Sequence, residues 1–188
     1  MYTAASQRCA PGEVVCGDAW VVVPHGDAWL LAVIDGLGHG PEAHRAAQAA
    51  KAAIERQPHL ELEPLVGAIA TGLKGSRGAC VGLARVEPAR RRVGCVIVGN
   101  VEIVGVGREP IRPLGSPGIV GREIRKLRLF EGSVAPGDRL FLYSDGISRR
   151  VDLARYRGQP VTAAARGVVD DFGGGNDDAT CLVADLPP

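Results

Sequence analysis

Apolar and β-branched residues fall in short runs along the chain, separated by glycine, proline and charged turns. Ala19 to Val23 and Ala28 to Ile34 flank Pro24-His25-Gly26-Asp27, a turn sequence, so this stretch predicts a hairpin. Both runs are apolar at nearly every position, the pattern of strands covered on two faces. After Asp35-Gly36-Leu37-Gly38-His39-Gly40 comes Pro41, suited to a first helical turn. The alanines and charges from Glu42 to Arg56 then predict a helix that ends before Pro58. A second helix is expected from about Leu62 to Lys74, stopped by Gly75-Ser76.

From Gly78 the pattern turns to strands. Cys80 to Val86, Val93 to Val98 and Val101 to Val106 are β-rich, joined by a basic turn at Pro88 to Arg92 and by Gly99-Asn100, which reads as a tight hairpin. Pro110 to Gly121 reads as a loop, and the alternation from Ile124 to Phe130 predicts a strand with one face in water. Ala135-Pro136-Gly137-Asp138 turns into a strand from Arg139 to Ser144. A helix from Val161 to Phe172 and a closing strand from Ala179 to Leu186 complete the pattern. Strand groups separated by helices imply an α+β class, and no Pro-, Ser- or charge-rich linker divides residues 1–188, so one domain is expected.

Composition narrows the function. Lys+Arg 22 against Asp+Glu 21 gives a formal charge of +1, which argues against nucleic acid or an anionic membrane as partner. No apolar run nears the roughly 18 residues of a spanning helix, and the first residues carry no export pattern. Cys9, Cys16, Cys80, Cys95 and Cys181 are odd in number and contain no CxxC pair, as expected of reduced thiols in a cytoplasmic protein.

The candidate chemistry lies in four aspartates, Asp18, Asp35, Asp145 and Asp177, each where an apolar strand meets a glycine-bearing turn. An Asp beside Gly is ordinarily turn chemistry, as at Asp27 and Asp138. Together, however, four carboxylates at strand ends can converge at one end of a sheet, and hard oxygen ligands suit Mg2+ or Mn2+.

Cys16-Gly17-Asp18, Val33-Ile34-Asp35-Gly36-Leu37-Gly38-His39-Gly40, Phe141-Leu142-Tyr143-Ser144-Asp145-Gly146 and Gly175-Asn176-Asp177-Asp178-Ala179-Thr180 occur in that order. The sequence thereby resembles the metal-dependent 2C-type (PPM) protein phosphatases, in their SpoIIE/RsbX-like branch, from about Gly17 to Val183. The resemblance implies a central sandwich of two antiparallel β-sheets flanked by helices, the PP2C-like fold, with two divalent cations, Mn2+ or Mg2+, at one end. It implies that Asp35 bridges both cations, that the Gly36 carbonyl binds one, that Asp145 and Asp177 complete the other shell, and that Asp18 acts directly or through water. Asp178 would support these ligands from behind. The implied activity is hydrolysis of phosphoserine or phosphothreonine on a signalling protein, a phosphorylated STAS-domain antagonist or stressosome protein, by a metal-activated water.

The sequence departs from the family in places. Leu37 stands where many eukaryotic relatives have a His, leaving His39 as a candidate general acid or organiser of water, or simply a solvent-facing turn residue. Arg8 is the only early candidate for a phosphate-binding arginine, while Arg149 and Arg150 follow Asp145 and could border the site or form a solvated patch. Arg90-Arg91-Arg92 reads as a turn, Trp20 and Trp29 as core filling, and Leu114 to Pro117 as a loop that could border substrate. A cysteine-phosphatase loop is excluded, because position 22, where its Arg would fall after Cys16, is Val22. A weakly catalytic binding module of the same fold and a small-molecule phosphohydrolase are the alternatives.

Overall fold

The computed structural model describes residues 1–187. In chain order the elements are β1 (Tyr2–Arg8), β2 (Asp18–His25), β3 (Ala28–Gly36), α1 (Gly40–Arg56), α2 (Leu62–Gly72), β4 (Ala79–Glu87), β5 (Arg92–Val98), β6 (Glu102–Val106), β7 (Leu129–Ser133), β8 (Arg139–Tyr143), α3 (Val161–Phe172) and β9 (Ala179–Asp185). They build a five-stranded sheet ordered β2-β3-β4-β5-β7 and a four-stranded sheet ordered β1-β9-β8-β6, antiparallel throughout.

Strand periodicity explains the layering. In β3, Leu30, Ala32 and Ile34 pack with the alanine face of α1 (Ala46, Ala47, Ala50, Ala53) and with Leu65 and Ile69 of α2. The alternate residues Leu31 and Val33 join Leu140 and Leu142 of β8 and Leu182 of β9 in a core between the sheets. On the far side Phe141, Tyr143, Cys181 and Val183 meet Ala164, Ala165, Val168 and Val169 of α3. The central strands are thus covered on both faces, which accounts for their continuous apolar runs.

The sandwich of two antiparallel sheets with helices outside agrees with the α+β expectation. Four details differ. The Gly99-Asn100 turn makes no hairpin: β5 belongs to one sheet and β6 to the other, where it pairs with β8, so the chain crosses the sandwich here. The expected strand at Ile124 to Phe130 begins only at Leu129, because Ile124 and Leu127 pack on the helix-side core and their alternation reflects a folded loop. Trp20 is an exposed residue on the edge strand β2 with the Lys51 ammonium 5.4 Å from its ring centroid, so it does not fill the core. Trp29 is half-buried. Finally, β1 was not foreseen, since its small and polar residues show no apolar pattern. Among the described residues no helix is long and apolar enough to cross a membrane, and the five cysteines are free thiols.

Candidate active site

One end of the sandwich carries the acidic residues, and strand parity brings them there. In β3 the side facing the other sheet runs Leu31, Val33 and then Asp35, so the apolar core gives way to a carboxylate where the sheet ends. Asp18 opens β2 directly opposite Asp35 in the antiparallel register. In the other sheet the same parity runs Leu140, Leu142 and Ser144 in one strand, and Ala184, Leu182 and Thr180 in its neighbour. The sheets are tied at this end. Ser144 Oγ donates to Asp18 Oδ2 at 2.6 Å and accepts from the Thr180 amide at 2.9 Å.

Asp145 follows immediately, its carboxyl group near enough to Asp35 for each to act on the other. Asn100, carried over by the β5–β6 crossing, donates from Nδ2 to Asp145 Oδ2, and its own Oδ1 is buried without a partner. Asp177 is exposed before β9, where Oδ1 accepts from the Asp178 amide at 2.9 Å. Asp178 is buried and accepts from the Ala10 and Gly17 amides, both at 2.9 Å, locking the segment before β2 onto the start of β9.

The glycines beside the aspartates reflect crowding. A Cβ on Gly36 would overlap the Ala43 carbonyl of α1, and one on Gly146 would overlap the Asp178 carbonyl. The turns after Asp35 and Asp145 therefore press against neighbouring backbone, which holds their carboxylates on a rigid base.

Burial and like charge together shape the site. Burial, then the charges of Asp18, Asp145, Asp177 and Asp178, push the Asp35 carboxyl up to about 9. Burial raises Asp18 to about 7 against the lowering effect of its hydrogen bond from Ser144, with Asp178 and Asp145 adding to the rise. Asp145 is raised by burial and by Asp177, and Arg149 offsets part of this. Among the described residues none of Asp18, Asp35, Asp145 and Asp177 forms a salt bridge. Oxygen-only donors carrying uncompensated negative charge fit hard divalent cations. Asp35, Asp145 and Asp177, with Asp18 behind them, could hold such ions.

The remaining expected residues are scattered around this centre. His39 caps α1 from an exposed position, its Nδ1 2.6 Å from Glu13 Oε1. Gly36 closes β3. Arg8 donates to the Gly174 carbonyl at 2.9 Å, and the Gly174 amide bonds the Gly146 carbonyl at 2.7 Å, so Arg8 braces the loop beside Asp145. Arg149 and Arg150 are exposed, the former close enough to act on Asp145. Cys16 is buried, and burial pushes its thiol up, opposite to what a nucleophile needs. Sequence reasoning missed Ser144 and Asn100 as partners of the acidic cluster. It also missed Arg77, whose guanidinium would sit 3.0 Å from a Cβ on Gly38, beside the Asp35 turn. Ser144 lay inside a quoted motif, but nothing local to Asn100 or Arg77 pointed to the site.

Comparison with known proteins agrees with this geometry. The sequence matches the family described as Stage II sporulation protein E (SpoIIE) over residues 25–187. Among curated proteins none matches at a significant level. A structure from work described as "The bacterial stressosome: a modular system that has been adapted to control secondary messenger signaling" is 34% identical, with a TM-score of 0.91 over 96% of this chain and 97% of that one. RsbX in complex with magnesium superposes with a TM-score of 0.85 at 21% identity, over 96% of this chain and 92% of its own. The catalytic domain of the serine/threonine protein phosphatase PstP, in complex with two manganese ions, gives 0.76 at 21% identity, over 100% and 98%. The aspartate-lined end of a two-sheet sandwich and the match over residues 25–187 lead to one conclusion: this chain belongs to the SpoIIE family, the PP2C-type phosphatases of the SpoIIE/RsbX branch.

Proposed function

We propose that this chain is a metal-dependent protein serine/threonine phosphatase that uses two divalent cations, Mn2+ or Mg2+. The observation that carries the reading is that Asp18 and Asp35 face each other in the β2–β3 register at the end of the sandwich that also carries Asp145, with carboxyl groups pushed up by burial first and by neighbouring aspartates second. Asp35, the Gly36 carbonyl, Asp145 and Asp177 would hold the cations, with Asp18 acting directly or through water. When bound, such a pair lowers the pKa of a water and offsets charge on the phosphoryl oxygens during in-line displacement.

The chain's own residues supply the rest. Ser144 and Asn100 orient the Asp18 and Asp145 carboxylates by hydrogen bonds. His39, exposed and steadied by Glu13, is available to give a proton to the leaving alkoxide. Arg77 and Arg149, beside the Asp35 turn and Asp145, are placed to attract a phosphate. No covalent phosphoenzyme is required, in keeping with the buried, raised Cys16 thiol.

For the substrate we propose a phosphorylated STAS-domain antagonist or stressosome protein. The neighbours from stressosome work and RsbX support that choice. Hydrolysis of p-nitrophenyl phosphate with Mn2+, abolished by EDTA and by Asp35→Ala, is the expected result. A phosphorylated STAS protein should then be a better substrate than nucleotides. Absence of turnover with any divalent metal would leave a binding module of this fold.

A further inference from the structure

Outside the aspartate centre, one cluster among the described residues joins side chains with metal-binding chemistry. Cys9 Sγ, Cys16 Sγ and a carboxylate oxygen of Asp178 all lie within 4.8 Å of one another. They come from three places in the chain: the residue after β1, the segment leading into β2, and the start of β9. Cys16 and Asp178 are buried, while half-buried Cys9 leaves a path to solvent.

The backbone prepares this arrangement. Asp178 accepts from the amides of Ala10 and Gly17, the residues directly after the two cysteines. One carboxylate therefore fixes the backbone carrying both thiols, and it keeps lone pairs for a further partner. Gly17 is required for the close approach, since a Cβ there would come 2.6 Å from Asp178 Oδ2. The sulfur of Cys16 also contacts the Arg8 carbonyl at 3.7 Å, which turns it inward.

We propose that Cys9, Cys16 and Asp178 form a second metal site, of thiolate type, that takes Zn2+ with water in the fourth position. Two sulfurs bound at about 2.3 Å in a tetrahedral shell sit about 3.8 Å apart, a spacing within the span of this cluster. Sulfur ligands select zinc over the hard cations suited to the aspartate centre, so the two sites sort their metals by chemistry. On binding, each thiol loses its proton to solvent as its S–Zn bond forms, and no oxidant is involved. A disulfide would engage only the two sulfurs, whereas a metal engages all three groups.

Cobalt tests the assignment without relying on phosphatase activity, so its failure would be distinct from failure of the proposed function. The full chain, freed of metal and held in a non-thiol reductant, is titrated with Co2+ and its near-ultraviolet spectrum recorded. Thiolate-to-cobalt charge transfer is expected at one equivalent, displaced by Zn2+, retained in Asp35→Asn and lost in the Cys9→Ser/Cys16→Ser variant. Zn2+ should also protect Cys9 of the unmodified chain from alkylation, read by mass spectrometry, which keeps the test valid if the variant fails to fold. No charge-transfer band, a band that survives the double substitution, or alkylation of Cys9 indifferent to Zn2+ would overturn the proposal. A Cys9–Cys16 disulfide without cobalt binding would instead make the pair a redox device.

Discussion

Asp35 bears the greatest electrostatic load of any residue in the site. Its carboxyl group is pushed up to about 9 by burial and by four neighbouring aspartates. Asp35→Asn removes one of the mutually repelling groups, so the metal-free protein should gain stability, on the order of 1–3 kcal/mol near pH 8. The same change should abolish Mn2+-dependent hydrolysis. Thermal melts in EDTA, set beside p-nitrophenyl phosphate assays, check both outcomes; a destabilised metal-free variant would contradict the repulsion described. Asn100 acts at one remove, through Asp145. Asn100→Ala should weaken Mn2+ binding by about 10- to 100-fold, the usual cost of losing a residue that orients a ligand, as measured by calorimetric titration. Asp18, Asp35 and Asp145 were legible in the sequence because each lies at a strand end next to glycine, and Asp177 because it follows Gly175-Asn176 before the closing strand. Asn100 was not, because its role depends on a contact 45 positions away.

Between elements, the informative feature is how β8 and β9 meet beneath the site. The turn after Asp145 lies against the Asp178 carbonyl so closely that only glycine fits at position 146. Gly146→Ala should cost about 1–3 kcal/mol through overpacking, seen as a lower urea midpoint with an unchanged slope. It should also reduce metal affinity by displacing Asp145. The strands and helices themselves were largely readable, since continuous apolar runs and an alanine-rich helix have clear periodicities. The crossing at Gly99-Asn100 was not, because a Gly-Asn pair is compatible both with a hairpin and with a change of sheet. Only the partners of β6, remote in sequence, decide between them. Strand β1 escaped for a related reason: small, polar residues paired at a sheet edge leave no apolar pattern.

At the scale of the whole molecule, the acidic end couples stability to pH and to metal. Asp18 and Asp35 rise from the ordinary value of 3.8 to about 7 and about 9 in the folded chain. Between those limits the unfolded chain has lost protons that the folded chain keeps, so stability falls as pH rises, by the linkage relation. The metal-free protein should therefore melt at a lower temperature at pH 8.5 than at pH 6, with the loss spread over a window from about 4 to about 9. Saturating Mn2+ should reverse the slope, because bound cations favour the ionised carboxylates. A metal-free melting temperature that rises through this window would show that the acidic groups carry no such strain. The most direct test of the central claim, that the distant aspartates converge to hold paired hard cations, is calorimetric titration of the metal-free chain with Mn2+ in two buffers of different ionisation enthalpy. The account predicts two equivalents bound with release of protons, both lost in Asp35→Ala. Binding that is absent, or that persists unchanged in Asp35→Ala, would contradict it.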